Sequence, residues 1–211
     1  MIKEKKHYSK LPDQLEKIQN FVLNNEGEYD SIEISNRVFI TKNITCLDID
    51  NCHFKRCNFG KIKGTNIKIN NTLIEDSDLS NLNLDRILLD SVDFVGCRMT
   101  GFIAINSSIR DATFKNCKLN LAQFRFSHLK NIIFENCILE EADFYNADIN
   151  NVIFRECNLI KAEMSKTKLF ETDFRTSNIA GMNIGIESLK GAVISSTQLI
   201  DLSWILGAKI K

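Results

Sequence analysis

Large apolar residues recur at every fifth position through most of the chain. From Ile34 to Ile184, each fifth residue is large and apolar except Gly64 and Ala104. A second column, two positions before each of these residues, holds small or apolar residues from Leu47 to Ser177. The other three positions of each group of five carry nearly all the charged and amide side chains. The pattern therefore indicates that two residues of every five are buried and three face solvent.

A period of five matches neither the 3.6 residues of an α-helix nor the two of a β-strand. A helix with this spacing would turn its apolar residues steadily around its axis, and a flat strand would send alternate ones to opposite faces. A chain that bends once in each group of five, always pointing the same two positions inward, satisfies the pattern. The period thus predicts a coil with an apolar interior.

A second period, of twenty residues, gives the number of bends in one turn of the coil. Phenylalanine recurs in register, with Ile74 filling the gap, at Phe54, Phe94, Phe114, Phe134, Phe154 and Phe174. Cysteine recurs three residues after these positions, with serine at 77 and 177, at Cys57, Cys97, Cys117, Cys137 and Cys157. Four bends per turn place like residues above one another on one wall. The sequence predicts an all-β, four-walled parallel β-helix of roughly seven and a half coils spaced about 4.8 Å apart.

Charge and composition narrow the class of protein. The 27 basic and 27 acidic residues balance, so no overall field attracts nucleic acid or an anionic membrane. No apolar run reaches the roughly 20 residues of a membrane span, and the basic start leads into no apolar signal core. Seven cysteines without a short C-x-x-C pair fit reduced thiols. We expect a cytoplasmic protein that contacts neither membrane nor nucleic acid directly.

Individual groups of five are recognisable. ADFYN (142–146), ADINN (147–151), CNLIK (157–161), SDLSN (77–81) and TDFRT (172–176) carry a small residue, then Asp or Asn, then Leu, Phe or Ile. Over roughly residues 30 to 184, the chain resembles the pentapeptide-repeat family. That resemblance implies a right-handed quadrilateral β-helix, and most of the chain is then the solenoid domain 30–184.

The closing segment 185–211 is similar to that of the quinolone-resistance subgroup of this family, which binds DNA gyrase. The resemblance implies a short strand and a terminal helix that close the coil and join two copies into a homodimer. Members of that subgroup are strongly acidic and imitate duplex DNA, whereas this chain is neutral. Binding to DNA gyrase or another topoisomerase, with protection against quinolones by resembling DNA, is therefore kept as the alternative function.

We expect a short helix at each end. Segment 1–29 carries an apolar stripe, and Pro12 suits the first turn of a helix there. The stripe comprises Leu11, Leu15, Ile18, Phe21 and Val22. At the other end, Ser195 or Ser196 begins a predicted helix that runs through Leu206. Trp204 on this helix either completes the core cap or anchors the homodimer seam.

The cysteine, histidine and acidic residues form no recognisable catalytic or metal-binding motif. A ladder of thiols on one wall does not converge on a tetrahedral metal ion. Cys46 and His53 fall in outward positions, whereas Cys52 and Cys57 fall in inward ones. The aspartates of the Asp/Asn position are expected to bond within turns, and Asn51, Asn71, Asn131 and Asn151 share one column that would form a side-chain ladder. The sequence predicts no catalytic residue, no metal and no cofactor.

Outward aromatic residues offer a surface for binding. Ile105, Phe126 and Tyr145 fall on one wall of consecutive coils. A contiguous apolar patch on a soluble protein marks a partner site. The sequence thus predicts a non-enzymatic interaction scaffold with a protein partner, DNA gyrase being the named alternative, and Ile105, Phe126, Tyr145 and Trp204 as its contact residues.

Overall fold

The computed structural model describes residues 9–40, 43–60 and 62–206. They form a parallel β-solenoid of about nine coils. The four-walled coil and its core stack are confirmed. The number of coils exceeds the prediction because both ends join the ladder: Glu16–Lys17 pairs with Ile32–Glu33, and Ala192–Val193 pairs with Thr172–Asp173. No helix among the described residues is long and apolar enough to cross a membrane.

The strands are short, and most of them lie within a single wall of the coil. In chain order they are β1 (Glu16–Lys17), β2 (Gly27–Asp30), β3 (Ile32–Ser35), β4 (Asn43–Ile44), β5 (Leu47–Asp50), β6 (His53–Lys55), β7 (Lys63–Thr65), β8 (Ile67–Asn70), β9 (Leu73–Glu75), β10 (Asn83–Asp85), β11 (Leu88–Asp90), β12 (Asp93–Val95), β13 (Ser108–Lys115), β14 (His128–Glu135), β15 (Asp148–Arg155), β16 (Lys168–Phe170), β17 (Thr172–Asp173) and β18 (Ala192–Val193). All their pairings are parallel, and from β2 onward partners lie twenty residues apart. β13, β14 and β15 each continue round a corner.

We number the walls by their inward apolar columns. The first wall holds the column containing Phe94 and Phe134, the second the column of Leu119 and Leu139, the third the column of Phe124 and Phe144, and the fourth the column of Leu129 and Ile149.

The core of the first wall is a stack of phenylalanine rings. Phe94, Phe114, Phe134, Phe154 and Phe174 are each at most 1% exposed. Successive ring centroids lie 4.8, 4.8, 5.0 and 5.0 Å apart with interplanar angles of 13° or less. This spacing is the distance between neighbouring strands, so the backbone ladder sets the ring stack.

The cysteines of the next inward column are buried and free. Their thiols donate to main-chain carbonyls; the Sγ of Cys137, for example, lies 3.1 Å from the carbonyl oxygen of Phe114. Ser127 and Ser177 make the same kind of bond through their hydroxyls, to Ala104 at 2.7 Å and to Phe154 at 2.8 Å. Cysteine here is therefore a small core residue with a satisfied donor.

Left-handed residues turn the chain at the corners. Twenty-five described non-glycine residues have positive φ, all at the last position of a group of five, and eleven of them are asparagine. Asparagine tolerates the left-handed region better than most residues because its short side chain bonds locally. This explains how a chain with nine glycines and one proline turns four times per coil.

The predicted asparagine ladder is present. The amide of Asn71 donates to Asn51 at 2.6 Å, and that of Asn151 donates to Asn131 at 2.8 Å. Asn131 continues the series to Asp111 at 2.8 Å. The ladder bonds one coil to the next outside the apolar core.

The predicted N-terminal helix is wrong. Phe21 and Leu23 are buried while Val22 between them is 61% exposed, which is the alternation of an extended chain. The Phe21 ring packs against Tyr29 at 4.7 Å and Phe39 at 6.1 Å. The apolar residues of this segment are used to cover the open end of the first coil, and that contact overrides the helical stripe.

A short helix closes the other end. α1 (Ser196–Asp201) is capped by Ser195 with a reciprocal bond to Gln198, and a 3-10 helix follows over Ser203–Leu206. Buried Gln198 donates from Nε2 to the carbonyl oxygens of Phe174 at 2.7 Å and Ser177 at 2.8 Å. These bonds satisfy carbonyls that a further coil would otherwise bind. In this region Leu202 is buried and Leu199 is 56% exposed.

Candidate functional site

The third wall brings the predicted contact residues together. Hydrogen bonds fix the register of successive coils: Asn106 N–H donates to the Arg125 carbonyl at 3.0 Å, and Phe126 N–H to the Tyr145 carbonyl at 3.1 Å. Ile105, Arg125 and Tyr145 therefore share one outward column, with Phe126 at its corner. Phe126 is 43% exposed, and the other three are half-buried.

Two aromatic rings and two cations form one cluster on this wall. The Phe126 and Tyr145 rings meet edge to face with centroids 5.7 Å apart. The Arg125 guanidinium lies 5.0 Å from the Tyr145 centroid and 5.6 Å from that of Phe126, and the Lys166 ammonium lies 5.3 Å from Tyr145. Cations over ring faces are attracted by the ring quadrupole. The cluster is thus a preorganised surface with apolar and cationic parts.

Carboxylates on the same wall orient Arg125. Asp143 Oδ2 lies 3.5 Å from Arg125 Nε, and its Oδ1 accepts the Tyr145 N–H at 2.9 Å. Burial raises the pKa of Glu163, but hydrogen bonds from Ser165 and Asn183, with the Arg125 charge, outweigh it and leave that pKa lowered. Asp143 therefore forms an ion pair with the guanidinium, and Glu163 adds a negative charge near it.

Leu121 and Phe126 are the only apolar residues among the 25 non-glycine positions with positive φ in the described chain. Both have φ of 58°, and they are 52% and 43% exposed. A bulky side chain in this region costs about 1–2 kcal/mol relative to a right-handed conformation. Such strain with solvent-exposed apolar groups is typical of functional positions. The position of Leu121 could be predicted from the sequence, because the five-residue register places this leucine in a turn.

We call Ile105, Leu121, Arg125, Phe126, Tyr145 and Lys166 the third-wall patch. The sequence predicted Ile105, Phe126 and Tyr145 as its members. It did not point to Arg125 and Lys166, because the direction of a long flexible side chain does not follow from the register. The side chain of Trp204 lies outside the described residues, so its predicted role stays a prediction.

The cysteine and histidine residues considered as metal ligands do not come together in the structure. Cys46 is exposed, Cys52 and Cys57 are buried, and His53 Nε2 pairs with Glu75 at 3.2 Å. Within residues 9–40, 43–60 and 62–206, no group of three or more His, Cys, Asp or Glu side chains is placed to hold a metal ion.

Comparison with known proteins agrees with this architecture. The sequence profile described as pentapeptide repeat region matches residues 127–204. This match shows that residues 127–204 form a pentapeptide repeat region, and the same five-residue register continues through the rest of the solenoid. No curated protein matches the chain.

Solved structures of low identity also match the chain. Full-length QnrB1, a plasmid-mediated fluoroquinolone resistance protein, is 17% identical, with 92% of this chain and 95% of QnrB1 covered and a TM-score of 0.40. A trypsin-treated QnrB1 variant is also 17% identical, covering 88% of this chain and 100% of that one at a TM-score of 0.39. The pentapeptide repeat protein Rfr23 from the cyanobacterium Cyanothece 51142 is 14% identical, with 77% and 91% covered and a TM-score of 0.21.

Proposed function

We propose that this protein is a non-enzymatic interaction scaffold whose protein partner docks on the third-wall patch. The observation that carries the proposal is the pair of strained, exposed apolar corners at Leu121 and Phe126. Folding alone favours asparagine or glycine at such corners, so an apolar residue at both edges of one wall indicates selection for contact with something outside the chain.

The chemistry of the patch fits a protein surface. Aromatic residues and arginine are the residue types enriched at interface centres. Arg125 is already packed against both rings and oriented by Asp143, so little side-chain freedom is lost when a partner binds. The solenoid supplies the rigid support, since each coil is bonded to the coils on either side.

Affinity capture from a bacterial lysate with quantitative mass spectrometry tests this proposal. The baits are the unmodified chain, Phe126→Asn, Tyr145→Ser and a matched control, Phe170→Asn, which removes a 57% exposed phenylalanine from the fourth wall. We expect a partner that the unmodified chain and Phe170→Asn retain and that the two patch variants lose. An identical set of captured proteins from all four baits would exclude the patch.

A second proposal concerns the partner's identity: DNA gyrase. Its support is the resemblance of segment 185–211 to the quinolone-resistance subgroup, and the closure of the solenoid by β18 and α1 is in keeping with it. The balance of 27 basic and 27 acidic residues does not support imitation of DNA by the whole body. Gyrase would then have to meet the apolar patch rather than an acidic, DNA-like face.

A supercoiling assay with purified DNA gyrase, with and without a fluoroquinolone, tests that identity. We expect the unmodified chain to relieve inhibition by the drug and Phe126→Asn to relieve it less. If the unmodified chain at concentrations on the order of micromolar does not change gyrase activity with or without the drug, the gyrase proposal is wrong. The scaffold proposal would then still be tested by the capture experiment.

We also propose that the C-terminal cap joins two copies into a homodimer. Ile186, Leu199 and Ile200 are 55%, 56% and 59% exposed at this end of the solenoid. Light scattering after gel filtration tests this, with Leu199→Lys as the disrupting variant and Leu88→Lys, on a mid-solenoid strand, as the control. A monomeric unmodified chain would contradict the proposal.

A further inference from the structure

The asparagine ladder at the corner between the fourth and first walls has a break at Ser91. Asn71, one coil below this break, bonds to Asn51 through its amide but also contacts the main chain of Lys10. Lys10 N–H donates to Asn71 Oδ1 at 2.6 Å, and Asn71 Nδ2 donates to the Lys10 carbonyl at 2.7 Å. One side-chain amide therefore binds both polar groups of one residue, as a neighbouring β-strand would.

A buried carboxylate lies beside this contact. Asp93 occupies an outward column of the first wall yet is 3% exposed. Its Oδ2 accepts the Ser9 N–H at 2.6 Å and the Ser9 hydroxyl at 3.1 Å. Burial raises the pKa of Asp93, while hydrogen bonds from Ser9 and Thr113 act against that rise. A buried carboxylate is costly unless it is bonded, and Ser9 supplies two of its bonds.

The same column holds uncharged residues on several coils, and it also holds Glu33 and Asp173. Leu73, Thr113 and Ile133 occupy the equivalent position on neighbouring coils. The fold therefore accepts an uncharged residue at this position. Asp93 differs from Asp173, whose carboxylate binds nearby Arg175, in binding Ser9, which lies 84 residues away in the chain. Asn71 likewise differs from the other ladder asparagines in using its amide on a segment 61 residues away in the chain.

We propose that Asn71 and Asp93 form a binding site for an extended polypeptide main chain, and that Ser9 and Lys10 occupy this site as a strap. Three of the four contacts use main-chain atoms of the bound segment, so the site recognises an extended main chain with little regard to its side chains. The fourth selects a hydroxyl residue at the first position, because only Ser or Thr can add the second bond to Asp93 with so short a side chain. Proline is excluded at both positions, since each N–H is donated.

The strap connects distant coils. β1, a few residues after Lys10, lies beneath the first coil, whereas Asn71 and Asp93 belong to coils farther along the solenoid. The segment 9–17 thus runs along the corner and ties the N-terminal cap to the body. A second extended segment with the same hydroxyl-containing pattern would compete for the site and release the strap.

Limited trypsin digestion of the full chain tests the strap. Cleavage after Lys10 requires the segment to leave the site, and its rate reports the population of the released form. We expect Asn71→Ala to speed this cleavage roughly tenfold, because both Lys10 contacts are lost. Asp93→Thr, which installs the residue found one coil on, should act in the same direction. The matched control Asn151→Ala loses a ladder bond of the same kind and should leave the rate unchanged; equal rates in all four chains would overturn the strap.

Peptide binding tests the site itself. The probe is a fluorescent peptide of sequence YSKLPDQL, a copy of residues 8–15, and anisotropy is the readout. Ser9→Pro removes the N–H and the hydroxyl that bind Asp93 and so weakens the hold of the strap on the site. We expect this variant to bind the peptide at least roughly tenfold more tightly than the unmodified chain, and the added change Asn71→Ala to abolish binding. Absence of binding to Ser9→Pro, or binding that survives Asn71→Ala, would overturn the site.

Discussion

Leu121 and Phe126 stand at the two corners that bound the third wall of a single coil, each with φ of 58°. The other described positions with positive φ hold polar, charged or glycine residues. The two side chains therefore frame a wall whose outward positions on neighbouring coils include Ile105 and Tyr145. The two apolar corners therefore lie on the wall that also carries the aromatic and cationic cluster.

Leu121→Asn should stabilise the fold by about 1 kcal/mol, because asparagine accepts the left-handed conformation that leucine resists. Asn81 and the glycines at 101 and 181 already hold this corner on other coils. Urea denaturation measures the change. The control Leu88→Asn removes an exposed leucine from a strand, and we expect it to be neutral or slightly destabilising. A destabilised Leu121→Asn chain would show that Leu121 serves the fold.

Phe134→Ala should cost about 3–5 kcal/mol, because it empties a position in the middle of the ring stack. Phe134 is 0% exposed and lies 4.8 Å from the Phe114 ring and 5.0 Å from that of Phe154. The free energy of unfolding in guanidinium measures it. Phe170→Ala, at a 57% exposed position, should change stability by less than about 0.5 kcal/mol. A loss under about 1 kcal/mol for Phe134→Ala would be inconsistent with the stack.

Gln198→Ala should cost about 2–3 kcal/mol, because it leaves the carbonyls of Phe174 and Ser177 without their donor and removes the capping bond to Ser195. The loss should appear first as faster hydrogen exchange in the last coil, since coils contact only their neighbours. Ser196→Ala, an exposed change in the same helix, is the control. Uniform exchange along the solenoid would argue against a local cap.

Thiol titration of the native chain should detect one fast-reacting cysteine of the seven. Cys46 is exposed and the other six are buried. Burial raises the pKa of Cys52 to about 11 and raises that of Cys57, so those thiols are poor nucleophiles. Cys46→Ser should remove the fast phase, and denaturant should expose the remaining six. Two or more fast thiols in the native chain would mean that the cysteine column is open to solvent.

The regular part of this protein was predictable because one physical quantity, burial, repeats with a fixed period. The column through Phe94 and Phe134 and the ladder through Asn131 and Asn151 both follow from counting residues. A coil bonded at twenty-residue intervals leaves little freedom for a different arrangement.

The irregular parts depend on contacts that counting does not reveal. The segment around Phe21 has a helical stripe, but the open end of the first coil binds it as an extended chain. The contacts of Ser9 with Asp93 and of Lys10 with Asn71 join residues far apart in the sequence. Arg125 lies on the Tyr145 ring because of its side-chain conformation, which is set by neighbours on three coils.

The twenty-residue ladder fixes the distances between features along the axis of the solenoid. The third-wall patch around Phe126 and the cap at Gln198 are separated by about three coils, so about 14 Å of rise lies between them. Removing a whole coil would bring the two closer by a single strand spacing without rotating either, whereas removing one residue would turn every later side chain out of line. The distance between a bound partner and the closed end of the molecule is thereby restricted to whole multiples of one step.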